Sequence, residues 1–199
     1  MNNTIIIPGM YRSGTSHIVK AIEKAGAHLG WTDEHGECPE IHGWLLCENS
    51  NNQPDPSSCP YGYKPSLDFT NRLRALKEDN AHYPIVAYKD PLMSSLFLAF
   101  VDVWPEAKYV LCVRNPLSAI WSQRKRGNIS DAAPDTDALG HHSQLITNVL
   151  AVANIRNVSL HLFNYDGDPQ REQDTLREFL DLPGLDILSE WRHATASRL

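Results

Sequence analysis

The fold is decided by the stretch Ile5-Ile6-Ile7-Pro8-Gly9-Met10-Tyr11-Arg12-Ser13-Gly14-Thr15-Ser16. Its three β-branched residues stop at Pro8-Gly9, which is typical of a buried parallel strand that leads into a turn. Further along, Ile18 and Ile22 recur at helical spacing, and Gly26 is a suitable residue to end the helix. The segment therefore predicts a strand, a glycine-bounded loop and a helix.

The rest of the chain repeats this alternation. Further strands are predicted at 84–88, 108–113 and 158–163, and helices near 66–79, 94–103, 117–121, 145–153 and 176–180. Strands that alternate with helices predict an α/β fold, a three-layer sandwich with a central parallel sheet of about four strands, in one domain over 1–199. Residues 30–64 are rich in Pro, Gly and Asn, so we expect an irregular flap with a short helix at most. A polar loop is predicted at 127–138.

Composition narrows the classes of partner. The chain has 199 residues, of which 42% are hydrophobic and 21% charged, with a formal net charge of −6. A wholesale nucleic-acid binder is normally basic, so nucleic acid is not expected as a partner. The first residues have no positive region followed by a long apolar run, and no membrane-spanning stretch is evident. A cytoplasmic location is therefore the expectation, and the oligomeric state cannot be read.

The loop at 9–16 has the chemistry of a phosphate cradle. Gly9 and Gly14 have the separation of the two glycines in a P-loop, and the helix N-terminus behind them favours an anion. Thr15 stands where a P-loop NTPase has its lysine, and the positive charge comes from Arg12 instead. The loop thus predicts a P-loop-NTPase-like fold that binds a single terminal phosphate without a metal. The predicted binding residues are Tyr11, Arg12, Ser13, Gly14, Thr15 and Ser16.

Two other predicted strands also end in charged residues. Arg114 ends the third strand, and Ser122 follows eight residues later in the next helix, so a guanidinium and a hydroxyl are predicted near one point. The second strand ends at Lys89-Asp90. Since ligands of open parallel sheets bind at the carboxyl ends of the strands, these residues are expected beside the loop.

A metal centre is not predicted. Three of the four cysteines share a segment with His35 and His42, but the spacings fit no standard zinc finger. Cys112 lies in an apolar run and is expected in the core. The pair His141-His142 is expected on a helix surface rather than in a ligand set.

With these motifs in place, the sequence resembles the PAPS-dependent sulfotransferases (PAPS is 3′-phosphoadenosine 5′-phosphosulfate), nearest to the bacterial-type members. The loop at 9–16 is similar to their 5′-phosphosulfate-binding loop, and Val113-Arg114-Asn115-Pro116 with Ser122 is similar to their 3′-phosphate motif. Residues 88–91 resemble the end of their second strand, and 171–184 their C-terminal helix. The likeness covers 4–26 and 84–184. An Arg-Lys-Gly segment near the C-terminus is not evident, and Arg192 and His193 are weak substitutes.

The resemblance implies roles for single residues. Arg12 would lie on the bridging oxygen and 5′-phosphate of PAPS, and Lys89 would support it. A carboxylate would act as base, either Asp90 or Glu40 of Glu40-Ile41-His42-Gly43-Trp44, which looks similar to a segment of the carbohydrate sulfotransferases. Glu48 is a third choice and His42 a fourth. Asp90 precedes Pro91, so a plain helix cap is an equal alternative for it.

Three functions stay open at this point. The first is transfer of a sulfuryl group from PAPS to a hydroxyl or amine of a small-molecule or carbohydrate acceptor. The others are a metal-dependent P-loop nucleotide kinase and a non-catalytic phosphonucleotide-binding domain. The kinase is disfavoured by Thr15 and by the lack of a clear Walker-B Asp other than Asp90. Aromatic residues of the flap could stack on an acceptor ring or pack in the core: Trp31, Trp44, Tyr61 and Tyr63.

Overall fold

A computed structural model describes residues 3–30, 32–33, 36–51, 65–125 and 135–196, with the backbone alone at 49–51, 135 and 192–196. Four strands form one sheet: β1 (Asn3–Ile7), β2 (Ile85–Lys89), β3 (Lys108–Val113) and β4 (Leu160–Asn164). Their spatial order is β2-β1-β3-β4, and all neighbouring pairs are parallel. The predicted α/β fold and four-strand parallel sheet are confirmed.

Helices cover both faces of this sheet. They are α1 (Thr15–Lys24), α2 (Pro39–Asn51), α3 (Leu67–Asp79), α4 (Phe97–Val103), α5 (Pro116–Arg124), α6 (Asp135–Arg156), α7 (Pro169–Leu180) and α8 (Ile187–Ala196), with a 3₁₀ turn at Pro91–Ser94. Alternate residues of β1 feed two separate cores. Ile6 packs with α2, α3, α4 and α6, whereas Ile5 and Ile7 pack with α1, α7 and α8. Because successive strand side chains point to opposite faces, one short apolar strand serves both layers.

The register of the sheet places the strand ends side by side. Ile7 at the end of β1 lies opposite Lys89 at the end of β2, and Val113 of β3 lies opposite Asn164 of β4. The chain that leaves β1 therefore starts next to Lys89, and Arg114 starts next to Tyr165. In the described residues, each helix is too short or too polar to cross a bilayer.

Several predictions for single segments need correction. Residues 39–51 of the expected flap form the thirteen-residue helix α2, because Ile41 and Leu45, one turn apart, are buried in the core. The helix expected at 94–103 is divided into the 3₁₀ turn and α4. His142 is buried rather than on the surface, while its neighbour His141 is exposed.

Other expectations are confirmed, or concern residues that the structure does not describe. Cys112 is fully buried in the core, as predicted. Trp44 packs against the core beside α3, which favours the packing alternative for that aromatic. The remaining flap aromatics, Trp31, Tyr61 and Tyr63, lie outside the described residues. The polar loop predicted at 127–138 gives way to α6 at Asp135, and its earlier part also lies outside them.

Candidate functional site

The loop between β1 and α1 requires glycine at both of its ends. A Cβ on Gly9 would lie 2.5 Å from Cγ2 of Thr15, and one on Gly14 would lie 2.1 Å from the ring of Tyr165. Gly14 also has a φ of +99°, a conformation that side-chain-bearing residues rarely adopt. Arg12 has a φ of +68° although it carries a side chain. Such local strain is typical of functional loops.

The loop is held from within and from behind. The hydroxyl of Ser13 donates to the carbonyl of Met10 at 2.7 Å and accepts from its amide at 3.2 Å, so Ser13 shapes the turn. The carbonyl of Gly9 accepts from Ser94 Oγ at 2.7 Å, and Asn148 Nδ2 donates to the carbonyl of Ser94 at 2.5 Å. Since Ser94 and Asn148 are buried, this support is rigid.

The two predicted anion sites meet in one cluster. Arg12 Nε donates to Ser122 Oγ at 2.9 Å, and Arg114 Nη1 donates to the carbonyl of Arg12 at 3.1 Å. Arg114 lies with its guanidinium 5.1 Å from the ring centroid of Tyr165, and its side chain is only 10% exposed. Its Nε lies 3.5 Å from Asp166 and makes no hydrogen bond in the described part of the chain. A buried donor of this kind is suited to an anionic ligand.

Lys89 lies on the other side of the loop. Its side chain is almost fully buried, and its Nζ lies 2.6 Å from Glu37 Oε1 and 3.4 Å from Ser16 Oγ. A tight turn brings Glu37 there, because the amide of Glu37 donates to Asp33 Oδ1 and its carbonyl accepts from the amide of Asp33, both at 2.9 Å. Gly36 completes the turn with a φ of +72°. Glu37 was not predicted from the sequence, since no motif marks it.

Asp90 is fully buried and uses both of its carboxylate oxygens. Oδ1 accepts from the amide of Leu92 at 2.7 Å and so caps the 3₁₀ turn, which is the alternative role considered for this residue. Oδ2 accepts from His42 Nδ1 at 2.7 Å. This hydrogen bond raises the pKa of His42, helped by the charges of Asp90, Glu37 and Asp33 and opposed by burial.

The remaining predicted residues lie around this centre or away from it. Glu40 is in the first turn of α2 and is exposed. Glu48 is turned toward α3, where its Oε2 accepts from Ser66 Oγ at 2.8 Å. Burial, with the nearby charges of Asp90 and Glu37, raises the pKa of Tyr11 to about 12, so this phenol stays protonated at neutral pH. The side chains of 192 and 193 lie outside the described residues.

Glu37, His42 and Asp90 form a small cluster next to a buried ammonium group. One ligand atom each from Glu37, His42 and Asp90 could be counted, all within 4.8 Å of one another. However, the ammonium of Lys89 already lies 2.6 Å from Glu37. That ammonium already compensates the charge of the Glu37 carboxylate. We therefore assign none of the three as a metal ligand.

Comparison with known proteins supports the fold alone. No family model matches the chain, and no curated protein matches its sequence. Sulfotransferase STF9 from Mycobacterium avium is similar in structure, with a TM-score of 0.54, 14% identity and coverage of 98% of this chain and 68% of that one. An unliganded sugar kinase from Janibacter sp. HTCC2649 has a TM-score of 0.51 at 11% identity, covering 92% and 97%. Shikimate kinase from Bacteroides thetaiotaomicron has a TM-score of 0.50 at 17% identity, and the match covers 90% of this chain and 99% of that one. The fold is thus P-loop-like, without indicating one reaction.

Proposed function

We propose that this chain transfers a sulfuryl group from PAPS to a hydroxyl or amine of a small-molecule or carbohydrate acceptor. The observation that carries the proposal is the contact between Arg12 Nε and Ser122 Oγ, 2.9 Å long, which joins the phosphate loop to helix α5. Arg114, at the strand end before α5, also contacts the loop through the carbonyl of Arg12 at 3.1 Å. A donor with two separate phosphate groups needs two anion sites in one cleft. A loop with Thr15 at the usual lysine position offers little to a triphosphate with magnesium.

Each part of the donor has a matching group. The curled loop with the α1 N-terminus behind it would hold the 5′-phosphosulfate, with Thr15 and Ser16 at its rim. Arg12 would neutralise the bridging oxygen, and Lys89 would support it from the Ser16 side. Arg114 and Ser122 would hold the 3′-phosphate. A guanidinium is suited to this task because it can donate two parallel hydrogen bonds to one phosphate.

The chemistry would be an in-line displacement at sulfur. The acceptor oxygen or nitrogen forms the new bond as the oxygen of the 5′-phosphate leaves. Catalysis then consists mostly of positioning and of stabilising charge on the leaving phosphate. A sulfuryl group carries less charge than a phosphoryl group, so the side chains of Arg12 and Lys89 can serve without a metal. A base is still needed, and the sequence resemblance implies Asp90 or Glu40 for this role.

Two other functions compete with this one. A P-loop nucleotide kinase is kept because two of the similar structures are kinases. Against the kinase, this chain has Thr15 at the position of the P-loop lysine, and its Lys89 is already in contact with Glu37. A non-catalytic phosphonucleotide-binding domain would use the same loop and the same Arg114 without turnover. The nucleotide preference and the release of product separate all three.

Thermal unfolding and calorimetry with nucleotides test the proposal. PAP (3′-phosphoadenosine 5′-phosphate, the donor after transfer) should raise the Tm in EDTA, because any ligand of the native state stabilises it by mass action. ATP with Mg²⁺ should raise it less. Tight binding of ATP–Mg²⁺ without binding of PAP would refute the proposal in favour of the kinase. Binding of PAP without any turnover of PAPS would favour the non-catalytic domain.

A further inference from the structure

We propose that His42 takes the proton from the acceptor and that Asp90 positions it for this task. The inference rests on the proposed sulfuryl transfer and names the base that this reaction needs. It replaces Asp90 and Glu40, the two carboxylates preferred from the sequence, with His42, which was the fourth choice there. It follows from the placement of the two side chains where α2 crosses the end of β2.

The geometry gives the two residues different tasks. Asp90 is fully buried, and its two oxygens accept from the amide of Leu92 and from His42 Nδ1. A carboxylate in this position cannot reach an acceptor itself. Since Nδ1 of His42 donates to Asp90, the lone pair of the neutral ring is on Nε2. A carboxylate that fixes the tautomer and orientation of a histidine is an arrangement that recurs in general-base catalysis.

The backbone around His42 is also fixed. The preceding residue Ile41 and, one turn on, Leu45 are both buried in the core, so this turn of α2 cannot rotate. The side chain of His42 is 31% exposed, which leaves it open to an acceptor from solvent. Glu40, the competing base, is exposed and has no hydrogen bond or ion pair to any described residue. A base must be held in place to be effective, which favours His42.

The position of His42 relative to the donor loop follows from a chain of contacts. Glu37 lies between His42 and Lys89, with Oε2 3.8 Å from His42 Nδ1 and Oε1 2.6 Å from Lys89 Nζ. Lys89 in turn donates to Ser16 Oγ at 3.4 Å, in the first turn of α1. The groups that face His42 are therefore Asp33 and Glu37 of the turn, Asp90 after β2, and beyond them Lys89 and Tyr11.

The step balances without a further reactant. The acceptor oxygen forms a bond to sulfur while the bond from sulfur to the 5′-phosphate oxygen breaks and PAP leaves with that electron pair. The acceptor proton moves to Nε2 of His42, and the imidazolium then passes it to water. The carboxylate of Asp90 stabilises the imidazolium through the existing hydrogen bond.

The test uses PAPS with two probe acceptors, phenol and 4-nitrophenol, and follows released PAP. His42→Gln should lose on the order of 10²–10⁴ in turnover with phenol. The loss should be much smaller with 4-nitrophenol at pH 8, because that acceptor is already largely ionised. PAP affinity should stay within about threefold of wild type. His82→Gln is the matched control, since His82 is an exposed histidine ahead of β2, at the opposite end of that strand from Asp90.

Asp90→Asn separates positioning from plain capping. The acid limb of the rate profile reports His42, which must be neutral to act. Replacing the carboxylate removes the main cause of its raised pKa, so the limb should move to lower pH. A loss of the cap lowers the Tm but does not move this limb. The pH dependence of the His42 ring signals by NMR should shift in the same direction.

The outcomes that overturn the inference differ from those that overturn the function. If His42→Gln keeps full turnover on phenol, or loses equally on both acceptors, His42 is not the base. If Glu40→Gln instead shows the acceptor-dependent loss, Glu40 is the base. Both results leave sulfuryl transfer intact. A wild-type protein that binds no PAP refutes the proposed function itself, and the inference with it.

Discussion

Replacing Gly14 by alanine tests whether the phosphate loop needs the conformation described here. The matched control is Gly26→Ala. Both glycines have similar positive φ values, +99° and +102°. A Cβ on Gly14 would lie 2.1 Å from the Tyr165 ring, whereas one on Gly26 has no atom within 4 Å. Because both variants carry the same Gly→Ala substitution, the pair separates the cost of backbone strain from the cost of a steric clash.

The expected magnitudes follow from these two terms. A left-handed conformation costs an alanine about 1–2 kcal/mol, which is all that Gly26→Ala should lose. Overpacking adds about 1–3 kcal/mol, so Gly14→Ala should lose about 2–5 kcal/mol in all. For a chain of this size each kcal/mol lowers the Tm by about 2–4 °C, giving a fall of about 4–20 °C against about 2–8 °C for the control. The ring of Tyr165 cannot easily move away, since it stacks on Trp191 with centroids 4.9 Å apart.

Thermal unfolding and PAP calorimetry measure both consequences. Gly14→Ala should lose PAP binding because the loop can no longer keep its left-handed turn at residue 14, while Gly26→Ala should keep it. Adding Tyr165→Ala to Gly14→Ala should recover part of the lost stability, which a double-mutant cycle reports as coupling between the two sites. Equal losses of stability for the two glycine variants would refute the packing argument. PAP binding by Gly14→Ala at wild-type affinity would refute the dependence of binding on the loop conformation.

Three further results are expected. Arg114→Ala should weaken PAP binding about tenfold to a hundredfold by calorimetry, since a charge-assisted bond is worth about 1.5–3 kcal/mol. Binding of adenosine 5′-phosphosulfate, which lacks the 3′-phosphate, should weaken much less. Equal losses for the two ligands would mean that Arg114 does not hold the 3′-phosphate. Burial lowers the pKa of His142 to about 4, so stability should fall as the pH drops from about 6.5 toward 4, and His142→Asn should flatten that slope in urea unfolding. Residues 30–64 contain six acidic residues and one lysine, so an acceptor screen should favour neutral or amine acceptors over polyanionic saccharides.

The sequence predicted the sheet well because its strands are signalled locally. β-branched and apolar runs, each followed by a turn residue, mark all four strands, and helical spacing marks most of the helices between them. Helix α2 was missed because Pro39, Gly43 and the asparagines after it hide its pattern. Its signal is confined to Ile41 and Leu45, two buried residues one turn apart. Helix α8 was not predicted either.

The site was predictable only where it follows a strand. The sequence placed Arg12, Lys89 and Arg114 in one candidate site because each comes just after, or at the end of, a predicted strand. The same rule could have added Tyr165-Asp166, which follow β4. Glu37 could not, because its position depends on a turn that packs Gly36 against α1, a contact between distant parts of the chain. The pairing of His42 with Asp90 likewise depends on how α2 crosses the sheet edge.

The proposed transfer of a sulfuryl group agrees with the charges around the loop. Lys89 is buried, and an unpaired buried ammonium is costly, so Glu37 on its fixed turn is expected to stay with it when a donor binds. Asp166 differs, since it is 40% exposed and its Oδ2 is already held by the amide of Asn115 at 2.6 Å. In the proposed complex, a 3′-phosphate would therefore replace Asp166 at Arg114. The side of the site that would face the transferred group then presents a nearly neutral Lys89–Glu37 pair. We expect such a pair to be sufficient beside a sulfuryl group and weak beside a phosphoryl group.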